Sequence, residues 1–387
     1  MQKILHYLFL GVDYLLAFVL FGAGQLWALA PRLGAAEPVI PDTPGQRMVE
    51  QMGPGWNLAN TLESFHPGTQ AGLEAETSWG NPVTTPEMLA MVKAAGFTCV
   101  RVPATWGNHV IDDNYTIDSL WIDRVQEVVD YAYDIGLYVI LNAHNDDYFE
   151  YVPDKANLDA SLAAYTRIWE QIAERFRNYD ERLLFEAINE PKVPEDYFAW
   201  KGGTPSQQKA VNRLHAAFVE TVRASGGGNA ARWLLLPIHA ASYDPVTMRT
   251  LKLPKDDRLI VSIHAYYPWE FTEASQAANT YGEKEKKDLA KMLGRIYDCF
   301  VKKGVPVYLG EFGAADKNNT EDRVQYTSDY AAIAKRYGMN TAWWDNGLTI
   351  EEEFNGASFM LLDRSEMRWV YPEIVKAITG IEVPANG

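Results

Sequence analysis

The sequence predicts an α/β chain folded as a single-domain (β/α)8 TIM barrel, on three observations. Eight short apolar runs occur in order after residue 50, amphipathic helical runs separate most of them, and polar residues gather at the carboxyl ends of the apolar runs. Strands buried on both faces read as nearly continuous apolar stretches, which is the pattern of a parallel sheet covered by helices. A doubly wound open sheet is the rival topology, but it places a Gly-rich phosphate loop after its first strand. That position here reads Asn60-Thr61-Leu62-Glu63-Ser64.

The elements follow in chain order. Residues 4–30 are almost wholly apolar behind Lys3 and read as an export signal, so the chain is expected outside the cell. Gly34, Ala35 and Ala36 offer a cleavage site before Glu37, which makes residues 1–36 a signal peptide. Retained instead, residues 4–30 are long enough to anchor the chain in a membrane, with Asp13 unfavourable near the middle. Residues 37–46 carry three prolines and read as a short linker, leaving 47–387 for the barrel domain. The strand candidates are 55–60, 98–105, 137–144, 183–190, 232–240, 259–268, 306–313 and 340–347. Between them, helices are expected at 85–96, 119–135, 160–177, 205–224, 286–303 and 322–337, several opening on Pro and closing on Gly. The connection after the fifth strand is short and less regular.

Composition narrows the function classes. The 387-residue chain carries a formal charge of −16, which disfavours nucleic acid and anionic membrane surfaces as partners. It also holds twelve Trp and twenty-one Tyr, more flat apolar faces than packing requires, and the C–H faces of pyranose rings stack on such surfaces. Trp56, Trp79, Trp106, Trp200, Trp269 and Trp343 are candidate platforms, each equally readable as packing. Cys99 and Cys299 fall in strand-like and helix-like runs as buried thiols do, with a disulfide between them left open.

In a parallel barrel the site lies where the strands end. Those ends carry Arg101, His144, Asn189, Glu190, His264, Tyr266, Glu311, Trp344 and Asp345, drawn from six different strands. Side chains alternate faces along a strand, so Ser262, His264 and Tyr266 share one face while the apolar Val261, Ile263 and Ala265 share the other. His264 and Tyr266 therefore point into the mouth. Glu190 and Glu311 come from the fourth and seventh strands, on opposite sides of the ring, and converge across it. A carboxyl pair so placed suits glycosidic bond hydrolysis. One, with a raised pKa, protonates the leaving oxygen, and the other attacks the anomeric carbon. Glu186 shares the parity of Glu190 but lies deeper, and reads as a structural ion-pair or hydrogen-bond partner. His239, ending the fifth run, reaches the cleft or caps it.

Seven segments now stand out together: GWNLAN (55–60), ETSWGNP (76–82), VRVPATW (100–106), FEAINEP (185–191), SIHAYYP (262–268), YLGEFG (308–313) and WWDNG (343–347). The ordered set resembles glycoside hydrolase family 5, the cellulase A group, and looks closest to its subfamily 4 endoglucanases and xyloglucanases. The resemblance implies an endo-acting, retaining β-1,4-glucan hydrolase working by double displacement, with Glu190 as acid/base and Glu311 as nucleophile. It further implies that Asn189 binds the sugar 2-hydroxyl and that Arg101 and Tyr266 hold Glu311 ionised and oriented. His144, His264 and Trp344 would line the subsite of the reacting sugar, Trp344 as its floor. No cofactor or metal ion is expected, the partner is a β-glucan polysaccharide or oligosaccharide, and the chain is expected to be monomeric. Two positions depart from the pattern: Ala59 stands where Gly is usual, and Asn145 follows His144 where a second His is common.

Cellulose, mixed-linkage β-glucan, xyloglucan and β-mannan all fit this chemistry, with glucan expected first and mannan second. Two readings from other classes compete. A metal-dependent barrel hydrolase would draw ligands from His144, Asp146, His239 and His264, yet such sites often begin with a His-x-His pair on the first strand, which GWNLAN lacks. A carbohydrate-binding protein without turnover would keep the cleft, but both carboxylates and their supporters are present.

Overall fold

The computed structural model describes residues 37–65, 72–146, 157–193, 199–273, 275, 277–352 and 357–384. The apolar run at 4–30 and its cleavage site lie outside them. Among the described residues no helix is long and apolar enough to cross a membrane.

Eight parallel strands close into a barrel in chain order: β1 Gly55–Leu58, β2 Cys99–Val102, β3 Tyr138–Asn142, β4 Leu183–Glu186, β5 Leu234–Ser242, β6 Leu259–His264, β7 Val307–Phe312 and β8 Asn340–Asp345. Closure comes from β8 pairing with β1, Trp56 beside Trp343 and Leu58 beside Asp345. The first helix, α1 (Pro44–Met52), precedes the barrel. Helices α2 Pro86–Ala94, α3 Ser119–Asp134, α4 Leu158–Arg175 and α5 Pro205–Ala224 alternate with the early strands. After β5 come α6 Pro245–Thr250, α7 Trp269–Thr272, α8 Glu283–Cys299, α9 Thr320–Arg336 and the carboxyl-terminal α10 Pro372–Thr379. The predicted (β/α)8 architecture is the one found. The long α5 starts where the sequence marks it, because Thr204 and Gln207 cap each other's backbone ahead of Pro205.

Helix α1 begins inside the segment read as a linker, which is therefore shorter than the sequence suggested. Thr43 caps it, accepting a hydrogen bond from the Gln46 amide at 3.1 Å, and Pro44 takes the first turn. Its buried Met48, Val49 and Met52 pack with Cys99, Ile140, Leu184, Leu235, Ile260, Tyr308 and Ala342 from seven strands. This apolar cluster fills the lower barrel and leaves polar side chains only toward the mouth. Cys99 sits there as a free thiol, its pKa pushed by burial up to about 12, and Cys299 is likewise free, so the open question of a disulfide closes.

Most strands are shorter than their apolar runs. The fourth ends at Glu186 and the sixth at His264, while the runs continue to 190 and 268. The ladder stops because the chain beyond it turns to aim Asn189, Glu190 and Tyr266 into the mouth. Strand β5 does the opposite and extends to Ser242, through left-handed Ala240 (φ 55°) and Ala241 (φ 45°) within a register shift. Alanine rarely adopts positive φ, so this bulge is strained. It delivers Ser242 and Tyr243 to the cleft wall.

Candidate active site

A buried polar layer lies above the apolar floor, and Arg101 is its hub. Its guanidinium, with no exposed side-chain surface, donates from Nε to Glu186 at 2.7 Å and from Nη1 to Asn57 at 3.0 Å. Nη1 also reaches Glu311 Oε1 at 2.8 Å, and Nη2 reaches Asn189 Oδ1 at 2.9 Å. Burial opposes the positive charge, but Glu186 and Glu311 outweigh it, so the group is held more firmly protonated than an ordinary arginine. A planar fork makes these four contacts at fixed angles, which a lysine cannot do. Glu186 is satisfied from two further sides by Ser262 Oγ (2.6 Å) and Asn142 Nδ2 (3.1 Å). It is the structural partner that its parity predicts.

Above this layer the two carboxylates meet. One oxygen of Glu190 and one of Glu311 lie within 4.8 Å of each other, and both face His264. So close an approach of the nearer oxygens accords with the roughly 5–5.5 Å spacing of carboxyl groups in retaining glycosidases. His264 Nδ1 is 2.9 Å from Glu190 Oε1 and 3.5 Å from Glu311 Oε1. Burial disfavours an imidazolium there, but the Glu311 charge and the Glu190 hydrogen bond prevail and raise its pKa. The Tyr266 hydroxyl donates to Glu311 Oε2 at 3.0 Å. Burial and the Glu311 charge push that phenol far above its ordinary range, so it stays a donor. Gly310 makes the close packing possible, since a Cβ there would stand 2.9 Å from Ser262 Oγ and 3.2 Å from His264 Nε2.

The structure reverses the expectation of a raised pKa on the acid. Burial alone would raise the Glu190 carboxyl, but the ammonium of Lys192, 3.0 Å from Oε2, and His264 on Oε1 hold it below the usual carboxylate range. Both oxygens of both carboxylates are thus engaged by donors of the chain itself.

The cleft around the pair has a volume of about 830 Å3. His144 and Trp344 line it with their rings nearly parallel, 5.9 Å apart. Burial and the nearby Arg101 keep His144 neutral, well below its ordinary pKa. Eight of the nine strand-end residues singled out from the sequence come together, seven around the cleft and Arg101 directly beneath it, whereas Asp345 is buried and accepts from Trp56 Nε1 and the Leu361 and Leu362 amides. Asn145, at the position where a second His is usual, also lines the cleft, and its amide donates to the Glu63 carbonyl at 3.4 Å. Of the candidate platforms, Trp200 (53% exposed) and Trp269 (49%) stand in the cleft wall, whereas Trp56, Trp106 and Trp343 are fully buried packing residues. Trp79 packs on Phe65 away from the cleft lining.

The residues weighed as a metal set do not converge. Asp146 accepts the Trp106 backbone amide, and His239 points outward among Gln208, Val211 and Thr247 instead of into the cleft. Sequence reading missed Lys192, Asn57 and Asn142, and turned Ser262 inward without giving it a role. The three layer residues are small polar groups inside otherwise apolar runs, a signal that strand parity exposes. Lys192 carried only its adjacency to Asn189-Glu190-Pro191.

Eight strands, a mouth lined with aromatic rings and two carboxylates at that spacing define the class, a barrel glycoside hydrolase. Residues 64–349 match the family model described as Cellulase (glycosyl hydrolase family 5). The chain is 41% identical over 337 residues to Endoglucanase 1 of Ruminococcus albus, covering 86% of this chain and 80% of that protein. Among solved structures it resembles a GH5-4 broad specificity endoglucanase from Clostridium acetobutylicum, with TM-score 0.81 and 38% identity over 87% of this chain and 99% of that one. A glycoside hydrolase 5 lichenase from Caldicellulosiruptor sp. F32, in complex with cellotetraose, gives TM-score 0.85 and 38% identity over 91% and 99%. The chain belongs to glycosyl hydrolase family 5.

Proposed function

We propose that this glycoside hydrolase is an endo-acting, retaining β-1,4-glucanase that also accepts mixed-linkage β-glucan or xyloglucan. The observation that carries it is the approach of Glu190 and Glu311 within 4.8 Å across an open cleft. Glu311, already an acceptor from Arg101 and Tyr266, attacks the anomeric carbon as the glycosidic C–O bond breaks and Glu190 gives its proton to the leaving oxygen. A glycosyl ester on Glu311 results. Glu190, now a carboxylate, takes a proton from water, the water attacks the same carbon, and Glu311 departs, so the β configuration is retained. Asn189 Oδ1 is committed to Arg101, which turns its amide nitrogen toward the 2-hydroxyl. Trp344 and His144 flank the sugar.

Relatives named as endoglucanases and a lichenase support glucan over mannan as the substrate, and cello-oligosaccharides bound in similar structures agree. Product sizing on carboxymethylcellulose, barley β-glucan, xyloglucan and mannan tests this. Mixed oligosaccharides from glucans are expected, and a preference for mannan, or release of monosaccharide alone, would overturn it. The acid/base and nucleophile roles separate by azide rescue. Glu190→Ala should yield a β-glycosyl azide from an activated aryl cellobioside, and Glu311→Ala should lose hydrolysis and give the α-azide. Residues 4–30 export the chain, which then works as a monomer without nucleic acid. A mature protein starting at Glu37 supports cleavage, and residues 4–30 retained in a membrane fraction support the anchor instead. Light scattering at a mass other than that of a single chain would refute the monomer.

A further inference from the structure

The loop after β4 joins the acid to an aromatic platform through one side chain. Lys192 lies 3.0 Å from Glu190 Oε2 and places its ammonium 4.5 Å over the ring of Trp200. All three line the cleft, and Trp200 is fixed from behind, its carbonyl accepting from Ser242 Oγ at 3.1 Å. Because Glu190 is the proton donor, the leaving-group sugars bind on its side of the pair, where the β4, β5 and β6 loops supply Trp200, Tyr243 and Trp269. The cation therefore sits where a sugar stacked on the cleft face of Trp200 belongs. It also occupies the oxygen that must carry the proton. His264 holds the other oxygen, but its side chain is only 2% exposed and bridges to Glu311, whereas Lys192 is 15% exposed at the cleft edge.

Building on the reading of Glu190 as acid/base, we propose that Lys192 is a positioning residue that couples filling of the leaving-group side to protonation of Glu190. With the cleft empty, the ammonium rests between Glu190 and Trp200 and keeps the carboxylate ionised. A pyranose stacking on Trp200 takes the ammonium's place, and Glu190 Oε2 then binds the proton it will deliver. The other groups facing Glu190 are His264 and Tyr266 from the end of β6, Glu311 from β7 and His144 from the end of β3, with Arg101 from β2 beneath the pair and Lys201 from the β4 loop elsewhere in the cleft lining. The strand-end groups are held by the barrel and do not depend on Trp200, whereas Lys201 follows Trp200 in the same turn.

The pH profile of cellotetraose hydrolysis reads this directly, because kcat/KM reports the free enzyme and kcat the complex. In the unaltered enzyme the alkaline limb of kcat/KM should lie about one pH unit or more below that of kcat. Lys192→Met should raise the kcat/KM limb to meet that of kcat, and Lys192→Arg should restore the gap. Trp200→Ala should lower the kcat limb toward that of kcat/KM. Coincident limbs in the unaltered enzyme, or a Lys192→Met variant that raises KM evenly at all pH with both limbs in place, would overturn the proposal. Azide rescue of Glu190→Ala tests the acid/base role independently, so failure of that reading and failure of the coupling are told apart.

Discussion

Replacing Arg101 tests how much of the site depends on one buried guanidinium. In Arg101→Lys the charge survives, but a single ammonium cannot span Glu186 on one side and Glu311 and Asn189 on the other, contacts now at 2.7, 2.8 and 2.9 Å. Hydrogen bonds to charged groups contribute about 1.5–3 kcal/mol each. Losing the alignment of nucleophile and 2-hydroxyl donor together should raise the barrier by about 2–4 kcal/mol, a fall in kcat/KM of about 30- to 1,000-fold. Arg101→Met goes further, leaving two carboxylates without their cation. Breaking a buried pair from one side costs about 3–5 kcal/mol, which for a domain of this size lowers Tm by on the order of 5–10 °C. Initial rates on an aryl cellobioside and thermal unfolding by circular dichroism measure both. An Arg101→Lys enzyme within threefold of the unaltered rate, or an Arg101→Met protein that melts at the same temperature, would refute the reasoning.

Tyr266→Phe removes the 3.0 Å hydrogen bond to Glu311 and little else, so kcat/KM should drop about 10- to 100-fold with Tm nearly unchanged, and an unaffected rate would contradict the role. Gly310→Ala places a methyl group 2.9 Å from Ser262 Oγ and 3.2 Å from His264 Nε2, so it should destabilise by about 1–3 kcal/mol and impair turnover; a fully active, equally stable variant would show that the packing is looser than described. His215, fully buried in α5 with neither ring nitrogen hydrogen-bonded among the described residues, has its pKa pushed by burial from 6.5 to about 3. The unfolded chain therefore takes up a proton that the folded chain refuses between those values. Stability present above pH 6.5 is lost as pH falls through that window, by on the order of 5 kcal/mol at 1.36 kcal/mol per unit. Urea unfolding of His215→Met should show a shallower acid slope than the unaltered protein, and identical slopes would contradict the assignment.

The barrel and most of its mouth are legible in the sequence because each depends on local pattern. Apolar runs of strand length separated by capped helices leave few topologies, and strand-end position puts Glu190, His264 and Glu311 at one rim. Parity correctly turns Ser262, His264 and Tyr266 inward even though the ladder ends at His264. Distances are not written in pattern. Trp56 and Trp343 are buried because they lie within β1 and β8 on the face opposite Asn57 and Trp344, whereas Trp200 and Trp269 lie beyond the strand ends and line the cleft, and which loop ring reaches it no pattern states. Helix α1 was hidden among prolines whose role is to start a helix, not to prevent one. The state of Glu190 was missed for a similar reason. Burial, the only part visible from position, pushes the pKa up, while Lys192 arrives from the following loop and reverses the sign.

Covalent trapping examines the pairing of Glu190 and Glu311 most directly. A 2-deoxy-2-fluoro-β-cellobioside with an activated leaving group slows release of the glycosyl enzyme, so intact and peptide mass spectrometry can locate the attached sugar. One fluorosugar per chain, ester-linked to Glu311, is the predicted result, with the β-anomer as the first-formed product of ordinary substrate by proton NMR. A label on any other residue, or an α-anomer as first product, would contradict it.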